Sequence, residues 1–278
     1  FMTCPLLYRF RVIDRIPERP SREAVRGTVV HQVLEDLFDL APAERTLARA
    51  TSMLPAAWEL VRSQDEAAAT QLFETAEEAE EWLASAVPLL ETYFRLEDPS
   101  RLDPAERELR VETTLDDGLV LRGYVDRLDR NAAGDTRVVD YKTGKAPGEG
   151  FEQKALFQMR FYALVLWRAT GTVPRMLQLL YLGNEQVLRY EPEESDLLAT
   201  ERKVKALWAA IQRAHETGDW RPSPSKLCGW CDHQSLCPAY GGTPPPLPSV
   251  VLPVPQVPAA SGAEPGAAGI AGSAQPAL

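Results

Sequence analysis

Cysteine and histidine are scarce in this chain, at four and three of 278 residues. A core stapled by several disulfides is therefore excluded, and any site built on either residue must draw on few positions. No apolar run approaches the roughly 18 residues that span a bilayer, and Phe1-Met2-Thr3-Cys4-Pro5 is not the basic-then-apolar start of a secretion signal. A cytoplasmic protein without membrane contact is expected. No Gly-x4-Gly-Lys-[Ser/Thr] phosphate loop is present, which excludes a built-in motor of that type. Basic charge is short as well: 30 Lys and Arg stand against 40 Asp and Glu, a net charge of −10.

What is present is ordinary globular material, 45% hydrophobic and 25% charged, enough for one main domain with appendages. The acid is concentrated. Between Glu35 and Asp117 there are 21 acidic and 7 basic residues, and elsewhere 19 and 23. Arg9, Arg11, Arg15, Arg19, Arg22 and Arg26 crowd the N-terminal segment, where they suit either phosphates or a solvated helix face.

Apolar spacing predicts helices over 5–16 and 24–40, the second with Val29, Val30, Val33, Leu34, Leu37 and Phe38 on one stripe and His31 beside it. Residues 43–97 read as further Ala- and Glu-rich helices, broken near Pro55 and Pro88. The pattern then becomes three antiparallel strands, 109–115, 119–129 and 136–142, with turns at Asp116-Asp117-Gly118 and Asn131–Asp135. A helix over 152–169, strands near 176–182 and 187–190 and a helix over 193–216 complete an α/β arrangement. Residues 220–240 form a cysteine-rich loop. Residues 243–278, rich in Pro, Ala, Gly, Ser and Val, are expected to be a disordered tail, leaving 1–242 as the folded domain.

The second turn carries the chemistry. If it is symmetric about Ala133, Asp126 faces Asp140 across the hairpin, with Cβ atoms roughly 4.5–5.5 Å apart, where like charges are destabilising. A cation between them, or one retained proton, relieves this. Alternation puts Lys142 on the Asp140 face. Two carboxylates are hard ligands for Mg²⁺ or Mn²⁺, and an ammonium beside them orients or stabilises an attacking water, the components needed to cut a phosphodiester. Glu112 on the neighbouring strand reads as a surface residue or as one reaching the site through water.

In this order, Gly27-Thr28-Val29-Val30-His31, Gly123-Tyr124-Val125-Asp126-Arg127, Val139-Asp140-Tyr141-Lys142-Thr143-Gly144, and then Gln158 with Tyr162 resemble the motifs of RecB-type nucleases of the PD-(D/E)xK superfamily. The resemblance runs from Cys4 to Cys237. It implies a restriction-endonuclease-like core, a mixed central sheet flanked by helices, with residues 35–105 as an acidic helical insertion. It further implies that His31, Asp126, Asp140 and the Tyr141 carbonyl hold the metal and that Lys142 is the catalytic lysine. Gln158 and Tyr162 are implied to position the site and the DNA strand. Asp140 stands where the family often has Glu.

Cys4 near the start and Cys228, Cys231 and Cys237 near the end supply four thiolates, which by spacing suit tetrahedral Zn²⁺ or a [4Fe-4S] cluster equally. His233 in the same loop is an alternative metal ligand. The early cysteine followed by a late triplet resembles the iron-sulfur branch of these nucleases, in which the cluster clamps the two ends of the fold. The expected activity is metal-dependent hydrolysis of DNA, an exonuclease on single strands or free ends in repair or recombination, with a helicase as a possible partner. The alternatives are a non-catalytic DNA-binding or structural subunit of a helicase-nuclease complex, and a zinc-clamped adaptor.

Overall fold

The computed structural model describes residues 1–65, 70–146, 148 and 152–248. Five strands form one sheet in the order β1 (Pro104–Thr114), β2 (Val120–Arg130), β3 (Thr136–Lys142), β4 (Met176–Tyr181) and β5 (Gln186–Tyr190). β2 is antiparallel to both of its neighbours, β1 and β3, while β3 and β4 are parallel and β4 and β5 are antiparallel. The parallel pair needs a crossover, supplied by the helix Glu152–Thr170 between them. In chain order the helices are α1 (Pro5–Tyr8), α2 (Arg22–Leu37), α3 (Leu47–Gln64), α4 (Ala76–Ala84), α5 (Val87–Leu96), α6 (Glu152–Thr170) and α7 (Glu194–Thr217).

Alternation along the strands divides the core in two. Val139, Tyr141, Leu180 and Leu182 pack with α2, α3 and α5 on one face. Val138, Leu177, Leu179, Val111 and Val125 pack with α6 and Leu197 of α7 on the other. A third cluster joins Leu6, Phe10 and Ile13 to Ile211, Ala214 and Trp220, bringing the first residues against the end of α7 and the cysteine loop.

The helical layer is fastened to the strands by a buried charge. Arg127 is fully buried and donates to both Glu97 carboxylate oxygens at 2.8 and 3.0 Å, to Asp129 at 3.0 Å and to the Tyr141 hydroxyl at 2.8 Å. Such a cation is tolerable inside only because each of these hydrogen bonds is made.

Two expectations need correction. α3 runs through Pro55 without a break, because Leu54, Ala57, Trp58 and Val61 of its buried face hold both halves in place while Pro55 itself is exposed. The tail begins later than expected: Leu247 packs on the third cluster and the Pro245 carbonyl accepts from Arg9, so residues 243–248 have contacts that composition did not reveal. Residues 249–278 lie outside the described residues. No helix among the described residues is long and apolar enough to cross a membrane.

Candidate metal centre

α2 begins at Ser21, whose hydroxyl caps the Ala24 N–H at 3.2 Å, and buries Val25, Val29, Val30, Val33, Leu34 and Leu37. His31 sits off that stripe and points toward the sheet. A Cβ at Gly27 would lie 3.0 Å from Thr143 Oγ1, so the glycine permits α2 to approach the segment after Lys142.

The Ala133-centred register holds from Arg130↔Thr136 to Arg127↔Val139. One step further, the Asp126 side chain takes over: its Oδ2 accepts from the Tyr141 N–H at 2.7 Å. On the other edge of β2, Arg107↔Arg127 and Leu109↔Val125 leave Glu108 opposite Asp126. Glu108 has φ +42°, a left-handed backbone that is unusual outside glycine. At this step the alternation of faces slips. Arg127 belongs with Tyr141 and Phe38 on the α2 face, whereas Leu109 and Val125 pack on the α6 face. A strained residue at the place where side chains must be re-aimed is a common device of functional sites.

The result is a cluster in which one ligand atom from each of His31, Glu108 and Asp126 lies within 4.8 Å of the others. His31 Nδ1 is 3.5 Å from Asp126 Oδ2, and His31 Nε2 is 2.8 Å from the Tyr141 carbonyl. With Nε2–H donating to that carbonyl, Nδ1 keeps its lone pair for a cation, the usual arrangement of a metal-binding histidine. Burial and then the Asp126 charge push the Glu108 carboxyl up to about 7. Asp140, almost fully buried, is pushed up to about 6 by burial and by Asp126, against the pull of Lys142. Three carboxylates gathered in this way have the chemistry of a hard divalent-cation site.

Asp140 lies beside the cluster. Its Oδ2 is 2.6 Å from Lys142 Nζ, and its Oδ1 accepts from Gln158 at 3.3 Å. Gln158 also donates to the Tyr162 hydroxyl at 3.2 Å. The Tyr162 ring lies against Gly123, where a Cβ would be 3.0 Å away. An open cleft of about 590 Å³ gives access, lined by His31, Glu35, Glu108, Tyr141, Lys142 and Thr143 among others. All the residues expected at the site, His31, Asp126, Asp140, Tyr141, Lys142, Gln158 and Tyr162, thus fall in one neighbourhood. Glu108 was missed. The same symmetry argument applied to the first turn, centred on Asp117, pairs it with Asp126. Glu112 instead lies on the surface between Arg110 and Arg122.

Cys4, Cys228, Cys231 and Cys237 line one small apolar cavity with Leu6 and Phe10, and none forms a disulfide. Cys4 Sγ accepts from the Leu7 and Ser223 amides at 3.5 and 3.4 Å, and Cys228 Sγ from Ser225 at 3.3 Å. Among the described residues no three of these sulfurs come within 4.8 Å of one another. His233 is buried in the same loop, with Nε2 2.9 Å from Glu18.

Two phage proteins and a solved structure resemble this chain. The Gene 69 protein of Mycobacterium phage D29 is 26% identical to this chain, with 86% of the chain and 94% of that protein covered. The Gene 69 protein of Mycobacterium phage L5 is 28% identical over 127 residues, which span 45% of the chain and only 41% of that protein. A candidate exonuclease from Eubacterium rectale, known from its crystal structure, superposes with a TM-score of 0.53 at 13% identity over 83% of this chain and 80% of that one, a likeness of fold. The family model that matches residues 1–238 is that of the PD-(D/E)XK nuclease superfamily, and the chain belongs to that superfamily.

Proposed function

We propose that this chain is a RecB-type DNA nuclease that hydrolyses phosphodiester bonds with Mg²⁺ or Mn²⁺, as an exonuclease on single strands or free ends in repair or recombination. The observation that carries the reading is the convergence of His31, Glu108 and Asp126 within 4.8 Å, next to the Asp140–Lys142 pair. His31, Glu108, Asp126 and Asp140 would hold the ion. The chemistry such an ion supplies when bound is polarisation of a phosphoryl oxygen and acidification of water.

The chain's own residues do the rest. The Tyr141 carbonyl fixes the His31 tautomer, and the Tyr141 N–H fixes the Asp126 carboxylate, so the backbone of one residue orients two ligands. Lys142 brings a positive charge to the cleft, where it can orient the attacking water and offset charge on the phosphate. Gln158 restrains Asp140 and, through Tyr162, ties it to α6.

At the cysteines we propose a [4Fe-4S] cluster. The four cysteines line one cavity and none is tied in a disulfide, an arrangement that suits a cluster in which each thiolate holds its own iron, and the amides directed at Cys4 and Cys228 suit ligand thiolates. Its role is to clamp the first residues to the loop after α7, with a helicase supplied by another chain in the cytoplasm.

The test is cleavage of end-labelled single- and double-stranded DNA by anaerobically purified protein with Mg²⁺ or Mn²⁺. Metal-dependent shortening from the ends, lost in Asp140→Ala, is expected. Protein that is folded and brown but cuts neither DNA with either metal would refute the catalytic reading.

A further inference from the structure

Beyond the metal centre the β1–β2 ribbon continues outward with one face bare. Val111, Leu121 and Val125 turn toward α6, and the opposite face carries the cross-strand pairs Arg110↔Tyr124 and Glu112↔Arg122. The first of these pairs lies one two-residue step, roughly 6.6 Å, from Glu108 and Asp126. Tyr124 is 55% exposed, and among the described residues its side chain makes no ring contact or hydrogen bond. More than half of the residue is left to solvent, so burial accounts for only part of what a tyrosine can contribute there.

Its neighbours are two arginines on one carboxylate. Arg110 and Arg122 each lie 2.6 Å from the same Glu112 oxygen. The patch is therefore net cationic in a chain of net charge −10, and it begins where the metal ligands end. A planar ring with guanidiniums at its edge fits a chain of stacked bases and phosphates better than it fits a protein groove, because the patch has little apolar area to bury.

We propose that this open face is the track for one polynucleotide strand leading into the metal centre, with Tyr124 stacking on a base and Arg110 and Arg122 meeting phosphates. The inference rests on the nuclease reading and adds a location and residues for substrate binding.

Steady-state cleavage of a single-stranded oligonucleotide with Mn²⁺ tests it. Tyr124→Ala should raise KM roughly five- to a hundredfold, the range for loss of one base stack, with kcat nearly unchanged. Tyr124→Phe, which keeps the ring, should restore KM. Arg110→Ala and Arg122→Ala should each flatten the salt dependence of binding by about 0.7 in log–log slope per phosphate lost. Glu112→Gln releases both guanidiniums and should lower KM. An unchanged KM in Tyr124→Ala, with wild type active, overturns the track and leaves this face to a protein partner. A wild type inactive on every DNA would refute the nuclease reading itself, and the two failures are thus distinguishable.

Discussion

Glu108→Gln tests the metal centre through stability, without any assay of cleavage. The wild-type carboxyl is held at about 7 instead of an ordinary 4.5, chiefly by burial and then by Asp126. Fully felt, the cost of ionising it would be about 3 kcal/mol. Glu108 is half-buried, and solvent screening reduces this to roughly 1–2 kcal/mol. Because its folded pKa is raised, the folded state holds the proton more tightly. The contribution is therefore stabilising below about 4.5 and is lost as pH rises to about 7. Glutamine has the same shape and no charge. In metal-free buffer the variant should melt near wild type at pH 5 and roughly 2–6 °C above it at pH 8. Added Mn²⁺ should reverse the order, since wild type gains about 2.7 kcal/mol at a hundred times its dissociation constant and the variant binds more weakly. The measurement is thermal melting by circular dichroism at both pH values, with chelator or with Mn²⁺. A variant that melts below wild type at pH 8 in chelator, and gains as much from Mn²⁺, would refute a repelling carboxylate cluster waiting for a cation.

Lys142→Ala should reduce single-turnover cleavage by roughly 10²–10⁴, a typical loss for a residue acting on the nucleophile, while Mn²⁺ affinity by calorimetry stays within a few-fold. Loss of metal affinity would reassign the lysine. If the proposed cluster is present, Cys231→Ala should bleach the visible absorption of anaerobically purified protein and lower its melting temperature, because a cluster shared by Cys4 and Cys231 would close a very long loop. If the folded, DNA-saturated variant cuts orders of magnitude more slowly, a purely structural cluster is the wrong model. Removal of residues 249–278 should leave cleavage, absorption and melting unchanged, whereas a truncation that also removes 243–248 should melt lower, because it deletes the Leu247 and Pro245 contacts.

Local rules carried the reading of the sheet a long way. The turns at Asp116–Gly118 and Asn131–Asp135 are short and polar, and a symmetric turn fixes register, so β2 and β3 pair as the spacing predicts. His31, Asp126, Asp140 and Lys142 were legible as members of a family order. Their meeting was not, since nothing local brings an α2 side chain to the sheet. Glu108 stayed hidden for a different reason. Strict alternation assigns each strand residue a face, and Glu108 lies where a left-handed residue breaks that rule. The Arg127 network was equally invisible: Glu97 is remote in sequence, and an arginine in a strand ordinarily reads as solvated.

The packing of Leu6, Phe10 and Ile13 on Ile211, Ala214 and Trp220 also bears on how the protein is made. At about 5–20 residues per second, a ribosome takes on the order of 10–40 s to synthesise the chain between these partners. During that interval three large apolar side chains have emerged with nothing to cover them. The sheet and the helices α2 to α6 can assemble meanwhile, so the first segment docks last. Nascent chains stalled before residue 211 should therefore recruit chaperones through residues 1–16, and those stalled well beyond the cysteine loop should not.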